Sequence, residues 1–317
     1  MPEVARRPVL QALGAGAAAL LAGAGTALPG AQAAASIHAR IWDADQAANG
    51  VEPVPPGGRR DPERGYVVVD EAAGGDPAHR LFPEVLIPER KRPTYELAKA
   101  LFDNYAVSQQ SAEEMDQREA DETLTLLEAV AASEPMAVVR EALEQQSGRR
   151  IAPERWLEML FEIWFRPYAI GDNPDLSGFE HVVVGEANGE AVGGHHFWYR
   201  YYLDDGILGD DRIDWRGTRY DGPGGRVGRR TALGRSVPAV VTLSYRWRTP
   251  AGVLFQEIGG FFVGCSVEGL MALGTARFLD LGHPETVIGG ARVEIVLHGS
   301  PDGRSLRTFY PRFLGLA

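Results

Sequence analysis

Cysteine and lysine are the residue types that this sequence of 317 residues has least of. Cys265 is the single cysteine, which excludes an internal disulfide framework and a zinc site built on cysteine. A site built from histidine and carboxylate ligands stays open. Lysine occurs only at Lys91 and Lys99, so arginine carries most of the basic charge. No lysine is available for chemistry in the remaining two thirds of the chain.

Positive charge is also in deficit, because the formal net charge is −11 at pH 7. This balance argues against non-specific binding to polyanions. The arginines are unevenly spread, since nine of them fall between Arg212 and Arg248, against only Asp214 and Asp221. Long apolar runs are missing after the N-terminal segment, so no later stretch is expected to span a bilayer.

The N-terminal residues 1–35 form a different kind of sequence. The pair Arg6-Arg7 precedes an apolar run of Ala, Gly and Leu, and small residues follow around Ala31 to Ala33. This order is typical of a cleavable export signal of the twin-arginine type. An N-terminal membrane anchor is the alternative. We expect the mature protein to be secreted, either extracellular or cell-wall associated, with no stable membrane insertion after cleavage.

Residues 36–172 are predicted to be mostly helical. A Pro/Gly-rich stretch up to residue 92 is expected to form loops after one short helix. From residue 94 the apolar residues recur at helical spacing, as Leu97, Leu101 and Tyr105 show. The predicted helices cover residues 35–46, 94–107, 111–133, 134–146 and 152–169.

Residues 173–317 are predicted to be mostly strands, because apolar residues alternate with a period of two. One helix is expected at 266–279. Helices followed by largely antiparallel strands define an α+β fold, in which 36–172 and 173–317 together form one domain. The predicted strands are 181–187, 191–203, 239–249, 252–264, 291–299 and 305–313.

Three of the chain's seven histidines surround one turn signal, Asn188-Gly189. Asn-Gly favours a two-residue hairpin turn, and with that turn His181 and His196 lie opposite each other on one face of the hairpin. His195 would then point to the opposite face. A bulge at Gly193-Gly194 would disturb this register.

A pair of facing imidazoles has three interpretations. The histidines are structural, or they bind a metal with Glu180 or Glu186 as a third ligand, or they form an acid–base pair. The last arrangement suits RNA cleavage, because one ring takes the proton of the 2′-hydroxyl and the other protonates the leaving 5′-oxygen. A donor or cation must then stabilise the charge on the phosphorus oxygens.

Six stretches of the sequence resemble the EndoU (XendoU-type) endoribonucleases, and the chain is similar to an exported bacterial member of that family. The stretches SGFEHVVVGE (177–186) and GGHHFWYRYYLDD (193–205) resemble the two histidine motifs. FQEIGGFFVGCSVEG (255–269) and LRTFYP (306–311) resemble two later motifs. The stretch 101–130 resembles the family's N-terminal helical segment, and the predicted helix over 152–169 resembles the helix just before the first histidine.

The resemblance implies a metal-stimulated endonuclease that prefers uridine. Its substrate would be single-stranded RNA and not DNA, and its product would carry a 2′,3′-cyclic phosphate. Mn²⁺ is the implied stimulating ion, with no protein ligands assigned. The resemblance makes His181 and His196 the acid–base pair.

Further residues receive roles from the same resemblance. Thr308 and Tyr310 would hold phosphate or base, and Ser266 would lie on the side that recognises uridine. Glu180 and Glu186 would orient the histidines.

The main departure from the family pattern is Gln256, which stands where the family has its catalytic lysine. Glutamine keeps a hydrogen-bond donor but loses the positive charge that would stabilise a developing anion. Arg246 and Arg248, on the preceding predicted strand, are candidates to supply that charge. Three further positions depart from the family motifs: Phe197, Val267 and Phe309.

These departures keep alternative functions open. One is a catalytically impaired relative that binds RNA or a protein partner, and another is a metal-dependent hydrolase built on the same histidines. The arginine-rich segment 226–235 either follows RNA phosphates or is a solvated loop. The glycine-rich 222–225 is interpreted as a flexible loop rather than a phosphate loop.

Overall fold

Helices precede strands along the chain, and the predicted α+β class is confirmed by the structure. The computed structural model describes residues 35–71, 76–112, 115–206, 212–218, 220–221, 227–228, 238–250 and 252–317. The predicted signal segment therefore lies almost wholly outside the described residues. The chain from Ala35 to Ala317 clusters into one compact unit.

The helices occupy the first half of the chain and recur twice in the second. They are α1 (Ile37–Ala47), α2 (Arg92–Ala100), α3 (Gln117–Ala131), α4 (Glu134–Ser147), α5 (Pro153–Trp164), α6 (Trp198–Asp204) and α7 (Val267–Phe278). A short 3₁₀ helix at Glu89–Lys91 leads into α2, and one turn of π-helix covers Glu180–Val184.

The strands form several small sheets. They are β1 (Glu52–Val54), β2 (Tyr66–Val68), β3 (Glu84–Leu86), β4 (Tyr168–Ile170), β5 (Asn173–Leu176), β6 (Glu186–Asn188), β7 (Ala191–Gly193), β8 (Ile213–Thr218), β9 (Tyr220–Asp221), β10 (Val227–Gly228), β11 (Val240–Thr249), β12 (Gly252–Phe262), β13 (Glu285–Ile288), β14 (Ala291–Gly299) and β15 (Leu306–Leu316). The Pro/Gly-rich region expected to be loops thus contains β1, β2 and β3. Their three-residue length is too short for a period to be visible.

Capping residues fix where the helices begin. Asp116 and Glu119 form a capping box at the start of α3, each side chain accepting from the other's backbone amide. Ser133 caps α4, and Gly148 ends it in the left-handed conformation at φ 67°. The helices predicted over 35–46 and 134–146 are found close to their expected bounds. The other three are shorter than predicted, because α2 ends at Ala100 and not at 107, α3 begins at Gln117 and not at 111, and α5 ends at Trp164 and not at 169.

Two sheets carry the second half of the fold. One has the strand order β6-β7-β12-β11-β8, and the other has the order β13-β14-β15. β11 and β12 form an antiparallel hairpin, as do β14 and β15. The strands predicted over 239–249, 252–264, 291–299 and 305–313 are therefore found, and β12 packs against β15.

Two strand predictions around the histidines are wrong. Residues 181–184 belong to the π-helical turn, so only β6 remains of the predicted strand 181–187. The predicted strand 191–203 ends after Gly193 and continues as α6. Positive φ values at Gly194 (66°) and His195 (61°) turn the chain out of the extended conformation, which ends the strand at that point.

Helix α7 lies at the centre of the core. Every residue from Val267 to Ala276 is buried, and the helix contacts α1, α4 and β14. The indole of Trp164 donates to Thr275 Oγ1 over 2.9 Å, which fixes α5 against α7. Within the described ranges, none of the helices combines the length and apolarity needed to cross a membrane.

Candidate active site

Two backbone hydrogen bonds bring the histidine segments together. The amide of His195 donates to the carbonyl of His181 over 2.8 Å, and the amide of His196 donates to that of Val182 over 2.7 Å. Gly194 makes this approach feasible, because a Cβ at that position would lie 1.7 Å from the His181 carbonyl oxygen. A residue with a side chain cannot occupy this position without moving the π-helical turn.

The rings of His181 and His196 face each other, with centroids 6.3 Å apart and planes at 58°. The predicted ladder pair does not exist, however. In the hairpin Glu186 pairs with Gly193 and Asn188 pairs with Ala191, so Gly189 and Glu190 form the loop. The histidines lie beyond the paired residues, and the π-helical turn carries His181 to its partner.

Glu186 contacts the first histidine. Its Oε1 lies 2.5 Å from Nδ1 of His181, and both side chains are buried. The same Oε1 accepts from Nε2 of Gln109 over 2.6 Å, and Gln109 Oε1 in turn accepts from Nδ2 of Asn173 over 3.4 Å. Gln109 was not anticipated from the sequence, because its contact with Glu186 joins segments 77 residues apart.

The second histidine is held by a backbone carbonyl. Nδ1 of His196 donates to the oxygen of Gly260 over 3.2 Å. A carbonyl has no proton to give, so this bond places the hydrogen on Nδ1 and leaves the lone pair of the neutral ring on Nε2. Burial, followed by the positive charge of His181 when protonated, lowers the pKa of His196 to about 3.

His195 points away from this pair, as the sequence predicted. Its Nδ1 shares a 2.5 Å hydrogen bond with the hydroxyl of Tyr245, and its ring stacks on Trp247 with centroids 4.5 Å apart. It is fully buried, and burial lowers its pKa well below the usual range. His195 therefore stays neutral and belongs to the core.

Gln256 lies directly beside the histidine segment. Its Nε2 donates to the carbonyl of Gly194 over 3.1 Å, and only 7% of the residue is exposed. In the β11–β12 ladder it pairs with Tyr245, so both side chains are on the face that carries His195. The position that resembles the family lysine thus lies at the site, with an amide in place of an ammonium group.

Arg246 and Arg248 are on the opposite face of this sheet. Arg246 pairs with Phe255 across the ladder and both are exposed, whereas the Tyr245–Gln256 pair is buried. Arg248 forms an ion pair with Asp214. Their side chains therefore lie away from that of Gln256, because side chains of neighbouring residues in a strand point to opposite faces. That these arginines supply the missing charge stays a prediction.

Strand β15 supplies Tyr310 and Thr308. The ring centroid of Tyr310 lies 5.1 Å from that of His196, with the planes at 32°. Thr308 is buried, and within the described part of the chain no side chain or backbone group hydrogen-bonds its Oγ1. Thr308 pairs with the exposed His298 of β14.

Ser266 is a helix cap and not a surface residue. It has no exposed surface, its Oγ accepts from the amide of Gly269 over 3.1 Å at the start of α7, and its own amide donates to Asp45 Oδ2 over 3.1 Å. Its hydroxyl also contacts the other oxygen of Asp45. The uridine-recognising role implied for Ser266 does not fit this burial.

The Asp45 carboxylate that Ser266 contacts lies in the core with Glu268. Burial raises the pKa of Asp45 to about 7, and burial also raises that of Glu268. Thr94 donates to Glu268 Oε1, and Asn49 donates to the same oxygen over 3.0 Å. This polar cluster joins α1 and α2 to α7, and the sequence gave no sign of it because its members lie far apart in the chain.

Glu180 begins the π-helical turn. It is buried, and its amide donates to Ser177 Oγ over 3.2 Å. The carboxylate that lies against His181 is that of Glu186. The implied orienting role therefore has a direct contact at Glu186.

The expected Mn²⁺ has no ligand set in the described residues. No group of three or more His, Cys, Asp or Glu side chains there is arranged to hold a metal ion. Glu186 Oε1, the carboxylate oxygen nearest to the histidines, is engaged by His181 and Gln109. The residues present do not fit a metal held by the histidine pair.

The arginine-rich segment 226–235 and the glycine-rich 222–225 fall outside the described residues, except for the backbone of Val227 and Gly228.

The two histidine rings are arranged so that one can accept a proton while the other donates one. One ring carries a lone pair on Nε2, and the other has a carboxylate on its Nδ1 side. An amide donor and a buried hydroxyl come from β12 and β15. The fold and the site thus define an α+β protein with a histidine pair suited to acid–base chemistry.

The family is shown by comparison with known proteins. The family model described as endoribonuclease XendoU matches residues 63–311, and the chain belongs to this family. The poly(U)-specific endoribonuclease of Xenopus tropicalis is 30% identical over 234 residues, 71% of this chain and 74% of that protein. The uridylate-specific endoribonuclease EndoU of Drosophila melanogaster is 28% identical over 217 residues, 67% of this chain and 62% of that protein.

A solved structure shows the same fold. The structure of XendoU, described as a splicing-independent snoRNA-processing endoribonuclease, superposes with a TM-score of 0.64 and 26% sequence identity. The match covers 88% of this chain and 96% of that one. The two chains therefore share one overall α+β fold.

Proposed function

We propose that this protein is an endoribonuclease that cleaves single-stranded RNA at uridines and leaves a 2′,3′-cyclic phosphate and a 5′-hydroxyl. Membership of the XendoU family supports RNA cleavage, and the names of the relatives support uridine as the preferred base. The observation that carries the mechanism is the contrast between the two histidines: His196 is held by a carbonyl and His181 by a carboxylate.

His196 is the general base. Its Nε2 lone pair takes the proton of the 2′-hydroxyl as the 2′-oxygen attacks phosphorus. Its lowered pKa, about 3, keeps the ring unprotonated at neutral pH. An anionic phosphodiester next to the ring favours the imidazolium form and so raises this pKa when substrate binds.

His181 is the general acid. The contact with Glu186 holds the ring through Nδ1, so Nε2 delivers a proton to the 5′-oxygen as the P–O5′ bond breaks. Until His181 gives up this proton, the Glu186 carboxylate balances the positive charge of its ring. The 2′-oxygen gains a bond to phosphorus as the 5′-oxygen loses one. His196 gains the proton of the 2′-hydroxyl and His181 gives one to the 5′-oxygen, so no water molecule is consumed.

Gln256, Thr308 and Tyr310 stabilise the phosphorus oxygens. An amide nitrogen carries two hydrogens, and the one not donated to Gly194 is available to a phosphate oxygen. Neutral donors of this kind lower the barrier, but without the Coulomb attraction of an ammonium group. We therefore expect slow turnover compared with a lysine-bearing site.

A second candidate function is RNA binding without cleavage, and Gln256 is the observation that favours it. The amide at this position is held by the Gly194 carbonyl, and Arg246 and Arg248 are on the other face of the sheet. If neutral donors are insufficient, the fold keeps an RNA surface without the chemistry.

The test uses a synthetic RNA with a single uridine, with and without Mn²⁺, and the His196→Ala variant. The matched control is His283→Ala, because His283 is an exposed histidine outside the site. Cleavage at the uridine with a cyclic phosphate detected by mass spectrometry, lost only in His196→Ala, is the expected result. A wild type that binds the RNA but leaves it intact would support the second candidate. Replacing the uridine with 2′-deoxyuridine removes the nucleophile and should abolish cleavage.

Export through residues 1–35 is also part of the proposal. The paired arginines and the apolar run support it. N-terminal sequencing of protein recovered outside the producing cells tests it, and a first residue near position 36 is expected. Replacing both Arg6 and Arg7 with lysine should stop export by the twin-arginine route.

A further inference from the structure

A groove of about 640 Å³ opens next to Gln256. It lies beside the Phe255–Ala191 pair, through which β12 adjoins β7. The groove is lined by residues 255–258 of β12 and by Asn188, Glu190 and Ala191 of the β6–β7 hairpin.

One wall of the groove is apolar. Phe255 is 44% exposed and Ile258 is 46% exposed, whereas Leu254 and Phe261 of the same strand are buried. Exposed apolar side chains grouped on one surface are typical of a binding site. The ring of Phe255 provides a flat face of the kind on which a base stacks.

The rim of the groove is polar and acidic. Asn188, Glu190 and Glu257 line it and are exposed. In the described part of the chain, no hydrogen bond or ion pair engages these three side chains. An amide and carboxylates suit the donors and acceptors of a base edge, whereas carboxylates repel a phosphate. The charge therefore favours a base over the backbone of a nucleic acid.

The groove is continuous with the candidate active site. Gln256 lines it, and the same side chain donates to Gly194, the residue between the two histidine segments. Gln256 is therefore the residue that links the groove to the histidine segments.

We propose that the groove binds the base of a nucleotide that flanks the cleaved uridine, with Phe255 stacked on that base and the acidic rim against its edge. The inference rests on the proposed RNA cleavage and adds a subsite to it. Stacking contributes affinity for any base, and the rim groups add a preference among bases through hydrogen bonds.

The test measures binding separately from cleavage. A fluorescent RNA carries 2′-deoxyuridine at the cleavage position, so it is not cut, and each flanking nucleotide is made abasic in turn. Fluorescence anisotropy gives the Kd for the wild type, Phe255→Ala, Phe255→Trp and Val253→Ala. Val253 is the matched control, because it is 56% exposed on the same strand but is outside the groove lining.

In the wild type, one abasic flanking position should raise Kd at least about fivefold, the scale of one stacked base. Phe255→Ala should raise the Kd of the intact RNA to a similar extent and become insensitive to that abasic position. Phe255→Trp and Val253→Ala should keep the wild-type pattern. Thermal unfolding should show all variants folded, since the residues changed are exposed.

The outcomes separate the two proposals. Phe255→Ala that binds like the wild type, or that keeps the abasic sensitivity, overturns the base subsite even if the protein cleaves RNA. The predicted binding pattern in a protein that does not cut a single-uridine RNA overturns the nuclease and leaves the subsite standing. Failure to bind any of these RNAs overturns both, and a protein partner for the apolar wall then becomes the better explanation.

Discussion

The amide of His196 donates to the carbonyl of Val182, and this bond sets the two catalytic candidates face to face. It joins a residue after β7 to the π-helical turn over 2.7 Å. The histidine pair is therefore a product of local backbone geometry, and that geometry depends on Gly194.

Substituting Gly194 should destroy the site. In Gly194→Ala the new Cβ would meet the His181 carbonyl at a backbone that already has φ 66°. The histidine segments must separate, and we expect kcat to fall at least about a hundredfold, the scale of a 1 Å misplacement. Cleavage of a single-uridine RNA measures this loss.

Gly189→Ala is the control for backbone strain. Gly189 has a similar φ of 62° but open space around it, so its alanine variant should lose about 1 kcal/mol of stability and keep kcat. Equal losses of activity in the two variants would show that strain, and not the approach of the histidines, is responsible.

Restoring a cation at position 256 should speed the reaction. In Gln256→Lys an ammonium group replaces an amide beside the histidines, and charge stabilisation of this kind contributes several kcal/mol. We expect kcat to rise by roughly tenfold to a hundredfold, measured on the single-uridine RNA.

Gln256→Glu is the matched variant of opposite charge, and its kcat should fall below that of the wild type. The arrangement of Gln256 proposed here is wrong if Gln256→Lys, confirmed as folded by circular dichroism, is no faster than the wild type.

Ser266 should matter for stability and not for base choice. Ser266→Ala removes an N-cap and leaves the buried Asp45 without a hydroxyl partner, so we expect a loss of about 2–4 kcal/mol. Denaturant unfolding measures it. Ser133→Ala, which removes a cap without a buried carboxylate, should lose only about 1 kcal/mol.

The ratio of cleavage at uridine to cleavage at cytidine should be the same in wild type and Ser266→Ala. A change in this ratio at a temperature where the variant is folded would instead restore the uridine-recognising role to Ser266.

His38 should make the protein sensitive to acid. Both its ring nitrogens are buried without a hydrogen-bond partner in the described residues, and burial, followed by the charge of Arg277, lowers its pKa from 6.5 to about 4. The stability that the neutral ring provides is complete above pH 6.5 and is lost as pH falls through 4. The total is roughly 3 kcal/mol.

His38→Leu removes this pH dependence, so its free energy of unfolding should fall less than that of the wild type between pH 6.5 and 4. The raised pKa of Asp45 acts in the opposite sense, because ionising this buried carboxyl lowers the free energy of unfolding as pH rises from 3.8 to about 7. Both proteins carry Asp45, so the difference between them at each pH isolates the contribution of His38. His298→Leu, at an exposed histidine, should follow the wild type. Parallel curves for wild type and His38→Leu would contradict the assignment.

The elements that sequence periodicity predicted well are those with a strong local signal. α7 begins one residue after its Ser266 cap, and β14 matches the predicted strand 291–299. The aromatic run from Trp198 to Tyr202 was misread as strand, because a short helix buried on nearly all sides leaves no alternation of apolar and polar residues to distinguish it.

For the site, the resemblance selected His181, His196 and the position of Gln256, and the structure places all three together. The turn signal Asn188-Gly189 predicts the same two histidines, although the strand pairing that it implies for them is not found. Gln109 was missed, since its contact with Glu186 joins segments 77 residues apart. Arg246 lies one residue from the buried Tyr245, so only the strand register separates its side chain from that of Gln256.

The sequence by itself determined the class of fold, the family and the two histidines, because periodicity, caps and short motifs are properties of neighbouring residues. Tertiary structure alone decided which nitrogen of His196 is held by a carbonyl, that Ser266 is buried, and that Arg246 and Gln256 lie on opposite faces of a sheet. These depend on contacts between distant segments, where a carbonyl, a packed helix or a strand face sets the environment of a side chain. No local pattern encodes that environment.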